Sequence, residues 1–311
     1  MTPKLYLAPM EGVTDWAMRD LLTRVGGIDQ CTTEFLRVTD NLHSDAIFYK
    51  NCPELLTDSK TLSGVPVFIQ LLGGKAEPLA LNAARAQQLG ARGIDLNFGC
   101  PAKTVNRHDG GATLLKYTDR LYTIVKTVRD RVPKTTPVTA KIRLGFDDPS
   151  ACLANAQAIE AAGADALTVH CRTKTDGYKP PAYWEWIARI KEVTKIALIT
   201  NGEIWNTEDF KKCSSQAGTV GYMIGRAALR DPFLFKRIKE QTPNTNYDDV
   251  KNLLPVFFNS SSVYVSEAFA VARTKNWLKQ LALVTPEFNQ LFEELKVITK
   301  PAQFKEKLVN L

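Results

Sequence analysis

The residues best equipped for chemistry lie in Asp95–Pro101, where an apolar run ends in the carboxamide of Asn97 and then the turn Gly99-Cys100-Pro101. A glycine before the cysteine frees the turn and a proline after it stiffens the exit, so the thiol is expected in a fixed place at a strand mouth. Strand mouths are where α/β enzymes keep their chemistry. A free cysteine is most often a small buried hydrophobe. That reading suits Cys31, Cys52, Cys152, Cys171 and Cys213, and Cys100 is set apart by its turn and its neighbour Asn97. With an ordinary pKa near ~8.5 its thiol is protonated at neutral pH and can serve as a proton donor.

Other apolar runs also end in polar groups that a packed core would not choose. These ends carry Met10-Glu11-Gly12, Glu34 with Arg37, Gln70, Lys141 with Arg143, His170 with Arg172, Asn201-Gly202-Glu203 and Gly225-Arg226. Alternation along Thr139–Leu144 points Lys141 inward, where an ammonium needs an anionic or electron-rich partner. His170 has no second metal ligand near it in the sequence, so it reads as a cofactor contact, with no metal expected.

The elements that must position these groups are eight short apolar or β-branched runs: Leu5–Met10, Cys31–Leu36, Val65–Leu72, Gly93–Asn97, Val138–Leu144, Ala166–His170, Ile196–Asn201 and Val220–Ile224. Most are followed by a helical stretch, such as Pro78–Leu89 before Gly90 and Ala151–Ala162 before Gly163. Eight such units imply a (β/α)8 TIM barrel, and a Rossmann sheet loses because no Gly-x-Gly-x-x-Gly follows the first strand. In that barrel Asn201-Gly202-Glu203 and Gly225-Arg226 follow strands seven and eight, where phosphate sites form on exposed backbone N–H groups. A phosphorylated cofactor or substrate is implied. The alternation stops after the polar, turn-prone Gln241–Asp248. Helical spacing over Val263–Val284 and Pro286–Ile298 then predicts a small all-α helical domain, dividing the chain into 1–242 and 243–311.

Composition sets the outer limits. A chain of 311 residues with 44% hydrophobic content buries one large core and a small second domain. It has no run of eighteen apolar residues to span a membrane, and its start reads as a strand rather than a signal peptide, so a cytoplasmic protein is expected. The dispersed cysteines read as reduced thiols. The net charge of +7 suits a polyanionic partner. Because 32 basic and 26 acidic residues precede 243 and 8 and 7 follow, that excess is not a basic tail.

Taken together, Leu7–Asp15, Asn97–Pro101, Gly110–Leu115, Lys141–Arg143, His170–Thr173, Asn201–Glu203 and Gly225-Arg226 resemble the flavin-dependent tRNA-dihydrouridine synthases, in order and over nearly the whole chain. Thr33–Val38 and Ala272–Leu278 are most similar to the bacterial DusC branch, which acts on uridine 16 of the tRNA D-loop. The resemblance implies a monomer with FMN bound across the barrel mouth and NADPH as reductant. Pro9, Met10, Glu11, Gln70 and Lys141 would meet the isoalloxazine, and His170, Asn201, Gly202, Glu203, Gly225 and Arg226 the phosphate. It further implies hydride transfer from flavin N5 to uracil C6, with Cys100 protonating C5. Substrate tRNA would be met by Arg37, Asn97, Arg143 and, in the tail, Arg273, Lys275 and Lys279. Two positions depart from the pattern: Phe98, expected to face away from the flavin, and Cys171, expected to narrow the phosphate side. The alternatives are an FMN-dependent small-molecule oxidoreductase of dihydroorotate dehydrogenase type, and a non-catalytic RNA-binding barrel.

Overall fold

The computed structural model describes residues 2–241 and 246–311. Its frame is a closed ring of parallel strands: β1 (Lys4–Leu7), β2 (Gln30–Thr32), β3 (Leu36–Arg37), β4 (Val67–Leu72), β5 (Ile94–Asn97), β6 (Val138–Arg143), β7 (Ala166–His170), β8 (Ala197–Asn201) and β9 (Gly221–Ile224). β1 lies between β2 and β9, and β2 pairs with β4 to close the ring. Helices cover its outside, so the strands are buried on both faces; all six residues of β4 are buried. This is the expected (β/α)8 barrel.

The run Cys31–Leu36 differs from expectation by splitting into two strands that both pair with β4. Thr33 still donates its N–H to the Phe68 carbonyl and accepts from Gln70 N at 3.1 Å. Glu34 then leaves the ladder to accept the Val13 N–H at 2.8 Å. The second barrel position is thus filled by β2 and β3 in tandem, and the break puts a carboxylate at the mouth.

Beyond the barrel come helices Tyr247–Lys251, Leu253–Tyr264, Glu267–Leu281, Pro286–Lys296 and Pro301–Val309. The domain boundary expected at 242/243, and half of the linker around it, lie outside the described residues. The expected continuous helix over Val263–Val284 is interrupted, because Ser266 caps a new helix by accepting from Phe269 N at 3.2 Å. Thr285 caps the next one, with Pro286 at its first position. Phe257, Phe258, Trp277 and Phe304 are buried in a core continuous with that of the barrel. Trp277 anchors the seam by donating its indole N–H to the Leu229 carbonyl at 2.9 Å.

A second anchor is Arg273, buried at 6% exposure. It donates to Asp15 Oδ2 at 2.7 Å and to the carbonyls of Gly12 and Val13 at 3.0 and 2.6 Å. Asp15 also caps helix Trp16–Val25, so one guanidinium joins the tail to the first strand-to-helix loop. Arg273→Ala is expected to destabilise the protein by about 2–4 kcal/mol, since it strands a part-buried carboxylate and two carbonyls. Urea unfolding measures this. A loss below about 0.5 kcal/mol would return Arg273 to the surface role expected from sequence.

Candidate active site

The carboxyl ends of the strands open into a cavity of about 730 Å³, within the range of small-molecule and cofactor sites. Pro9, Met10, Glu11, Gln70, Asn97, Cys100, Lys141, Arg143, His170, Asn201, Gly202, Glu203, Gly225 and Arg226 all line it. Parallel strands in register bring these positions together although they are spread over more than two hundred residues of chain.

Cys100 is held by its backbone on both sides. Asn97 Oδ1 accepts the N–H groups of Gly99 and Cys100, each at 3.0 Å. The Cys100 carbonyl accepts from Asn106 Nδ2 at 3.0 Å and from Ala112 N at 3.1 Å. Gly111 has φ +58°, and a Cβ there would come within 2.8 Å of the Cys100 carbonyl oxygen, so only glycine lets the following turn close against it. The thiol is half-buried, whereas the other five cysteines are buried. Burial pushes its pKa up, with the Ala102 N–H opposing and Glu11 adding to the rise.

On the other side of the ring stands a concentration of positive charge. Burial and the nearby Arg143, Lys141, Arg172 and Arg226 hold the His170 pKa well below its usual value, so the imidazole is neutral. Among the described residues, Glu203 is the one carboxylate ion-paired with these cations, at 2.8 Å from Arg172 and 3.6 Å from Arg226. Lys141 reaches across β7 to Asn201 Oδ1 at 2.9 Å, and burial with the repulsion of Arg143 brings its pKa down to about 8. Asn201 in turn donates to the Met223 carbonyl at 2.8 Å, fixing its orientation. Gly202 has φ +118°, and a Cβ there would meet His170 Cδ2 at 2.9 Å. A cationic wall with a close-packed glycine is a site for an anionic group.

Other expected contacts are placed differently. Arg143 lines the cavity but spends its donors on the carbonyls of Gly99, Thr173 and Gly177, at 2.9, 3.0 and 2.8 Å. It braces the Cys100 turn. Arg37 stands at the end of β3 outside the cavity wall. Lys275 is turned to the carbonyls of Lys296 and Ile298, at 2.9 and 2.6 Å, where it neutralises a helix C-terminus. Of the three tail cations only Lys279 is exposed. Phe98 is buried in the core and does not line the cavity. Cys171 does not narrow the phosphate side, because alternation from His170 turns it outward into the core.

Several wall residues were not singled out from sequence. The Tyr178 ring lies 6.0 Å from the His170 ring and carries the guanidiniums of Arg143 and Arg226 at 5.2 and 4.8 Å. Trp205 donates to Glu203 Oε1 at 3.1 Å and also stacks with Arg226. Gln280, one residue after Lys279, brings the tail to the cavity edge. An aromatic in a loop rich in Gly and Pro was the one available signal, at Tyr178.

A model described as dihydrouridine synthase matches residues 6–309. The chain belongs to the dihydrouridine synthase family. The tRNA-dihydrouridine(16) synthase of Pseudomonas putida is 46% identical over 298 residues, covering 94% of this chain and 92% of that protein. The tRNA-dihydrouridine(16) synthase of Neisseria meningitidis serogroup A is 41% identical, covering 99% and 94%. Among solved structures, a 2-naphthoyl-CoA reductase complex superposes with TM-score 0.58 at 14% identity over 77% of this chain. Histamine dehydrogenase from Rhizobium sp. 4-9 does so with 0.57 at 16% over 83%. This chain spans about half the length of each, and the likeness is one of fold.

A dihydrouridine synthase is a flavin-dependent oxidoreductase, and this cavity fits that cofactor: the cations around His170 outnumber Glu203, the carboxylate paired with them, and Gly202 leaves room beside His170. Gly202→Ala adds about 1–3 kcal/mol of backbone strain and a clash with His170. Flavin titration is expected to show binding weakened roughly tenfold or more. Lys141 adds a pH signature: an anionic flavin in the same cavity favours the charged ammonium, so binding weakens as pH rises past about 8. Unchanged affinity in Gly202→Ala, or across that pH range, would contradict this assignment.

Proposed function

We propose that this protein reduces uridine 16 of the tRNA D-loop to 5,6-dihydrouridine, with bound FMN as cofactor and NADPH as reductant. The carrying observation is one cavity that joins a protonated, rigidly placed thiol to a cationic, glycine-lined wall. Family membership and the printed names of the P. putida and N. meningitidis relatives support the choice of substrate and position.

His170, Asn201, Gly202, Glu203, Gly225 and Arg226 would hold the FMN phosphate, and Pro9, Met10, Glu11, Gln70 and Lys141 would meet its ring. When bound, FMN supplies the hydride that the uracil receives. Entry of the base requires the uridine to leave its stack, at a cost of a few kcal/mol that a loop lowers relative to a duplex. Asn97 presents an amide N–H to the base, and Cys100 gives its proton to uracil C5. Because the thiol is half-buried, water at the mouth can return the proton afterwards. Arg37, the exposed Lys279 and the mouth residue Lys103 would contact the nucleic acid, a role that makes affinity salt-dependent.

The test is anaerobic. Holoprotein reduced with NADPH is mixed with unmodified tRNA, and the oxidised flavin band is expected to return rapidly. Return with orotate but not with tRNA would favour the dihydroorotate dehydrogenase alternative. Return with neither would leave the RNA-binding barrel. Cys100→Ala is expected to slow dihydrouridine formation by a factor on the order of 10²–10⁴ with flavin retained. In the wild type saturated with flavin the rate should fall as pH rises through the raised thiol pKa, because the acid is then lost. Unchanged turnover in Cys100→Ala would remove the thiol from the reaction.

A further inference from the structure

Behind the Cys100 turn runs a chain of side-chain hydrogen bonds that leads to Asp95 and Thr139, two residues the proposed chemistry does not use. Thr139 Oγ1 donates to Asp95 Oδ1 at 2.5 Å, and Gln70 Nε2 donates to Asp95 Oδ2 at 2.7 Å. Asn97 Nδ2 donates to Gln70 Oε1 at 2.8 Å, and Asn97 Oδ1 accepts the two N–H groups of the turn. Asp95 and Gln70 are buried, at 3% and 0% exposure.

A carboxamide can be turned end for end, and its orientation is set by its partners. Burial raises the Asp95 pKa, and the hydrogen bonds from Thr139 and Gln70 and the charge of Lys141 oppose that rise; as a carboxylate accepting on both oxygens, Asp95 obliges Gln70 to offer its nitrogen. Gln70 then has only oxygen for Asn97, and Asn97 must turn its nitrogen to Gln70 and its oxygen to the Gly99 and Cys100 N–H groups. With the reverse orientation donors would face donors and the turn would lose its cap. We infer that Asp95 is a positioning residue for Cys100, acting through Gln70 and Asn97 by fixing the direction of this relay. As to the base, the inference rests on the function proposed above: the second Asn97 Nδ2–H has no partner among the described residues, and it requires an acceptor, such as a ring carbonyl, on what enters the cavity.

Because Cys100 is the one cysteine not buried, its alkylation by iodoacetamide in the holoprotein without tRNA reports on the turn directly. Asp95→Asn permits both relay directions. It is expected to raise the Cys100 alkylation rate at least about threefold, and to lower dihydrouridine kcat about tenfold with KM for tRNA and flavin content little changed. Asp95→Asn with Gln70→Glu moves the carboxylate one residue along and restores the direction, since the amide then at position 95 can donate to the carboxylate then at position 70, which accepts from Asn97 as well. Its alkylation rate is expected within about twofold of wild type, whatever its turnover. Thr139→Val leaves the Gln70–Asp95 bond in place and is expected to alkylate like wild type.

A wild-type alkylation rate in Asp95→Asn would overturn the proposal. So would an equal rise in Thr139→Val, or a double variant no slower than Asp95→Asn. If Asp95→Asn does not fold, the double variant decides by itself: alkylation near the wild-type rate supports the relay, and a rise beyond about threefold overturns it. Wild-type protein that fails to modify tRNA would sink the proposed function alone, and the alkylation series would still decide the role of Asp95.

Discussion

Like charges gathered at the strand ends of a barrel repel one another, and burial removes the water that would screen them. Lys141, Arg143, Arg172 and Arg226 surround His170 under these conditions, and Glu203 pairs with only two of them. The cost appears in the neutral imidazole and in the lysine brought down to about 8. An anion entering the cavity reverses that cost, because every interaction that disfavours the free state favours the bound one. Asn201, Gly202 and the Trp205–Glu203 contact serve to hold the arrangement until then.

The thiol side follows the opposite logic. The Cys100 turn is hydrogen-bonded to neutral carboxamides and backbone amides, and burial, ahead of the charges of Glu11, Arg143 and Arg37, keeps the proton on sulfur. Under the proposed function, these two environments in one cavity would divide the labour between binding an anion and giving up a proton. Both are built on strand ends, and the tail reinforces them through Arg273 at the Gly12–Asp15 loop and Gln280 at the rim.

Much of this was legible in the sequence for a simple reason. A strand buried on both faces needs an unbroken apolar run, and a polar residue at its end is then conspicuous, as with Gln70, Asn97, Lys141 and His170. Residues whose fate depends on distant partners were not legible. Arg273 and Lys275 look like a basic helix face, yet one meets Asp15 at the far end of the chain and the other caps a neighbouring helix. The break at Glu34 was hidden because Phe35 and Leu36 continue the apolar pattern. Tyr178, Trp205 and Gln280 lie in loops or at a helix end, where no periodicity marks what they face.

Whether this cavity reduces a uridine of tRNA with Cys100 as the acid is decided by mass mapping of the tRNA nucleosides. Unmodified tRNA incubated with holoprotein and NADPH should contain a uridine heavier by two hydrogens in the D-loop at position 16, and that product should nearly vanish with Cys100→Ala. No such product, a product at an unrelated position, or undiminished product from the Cys100→Ala protein would contradict the account.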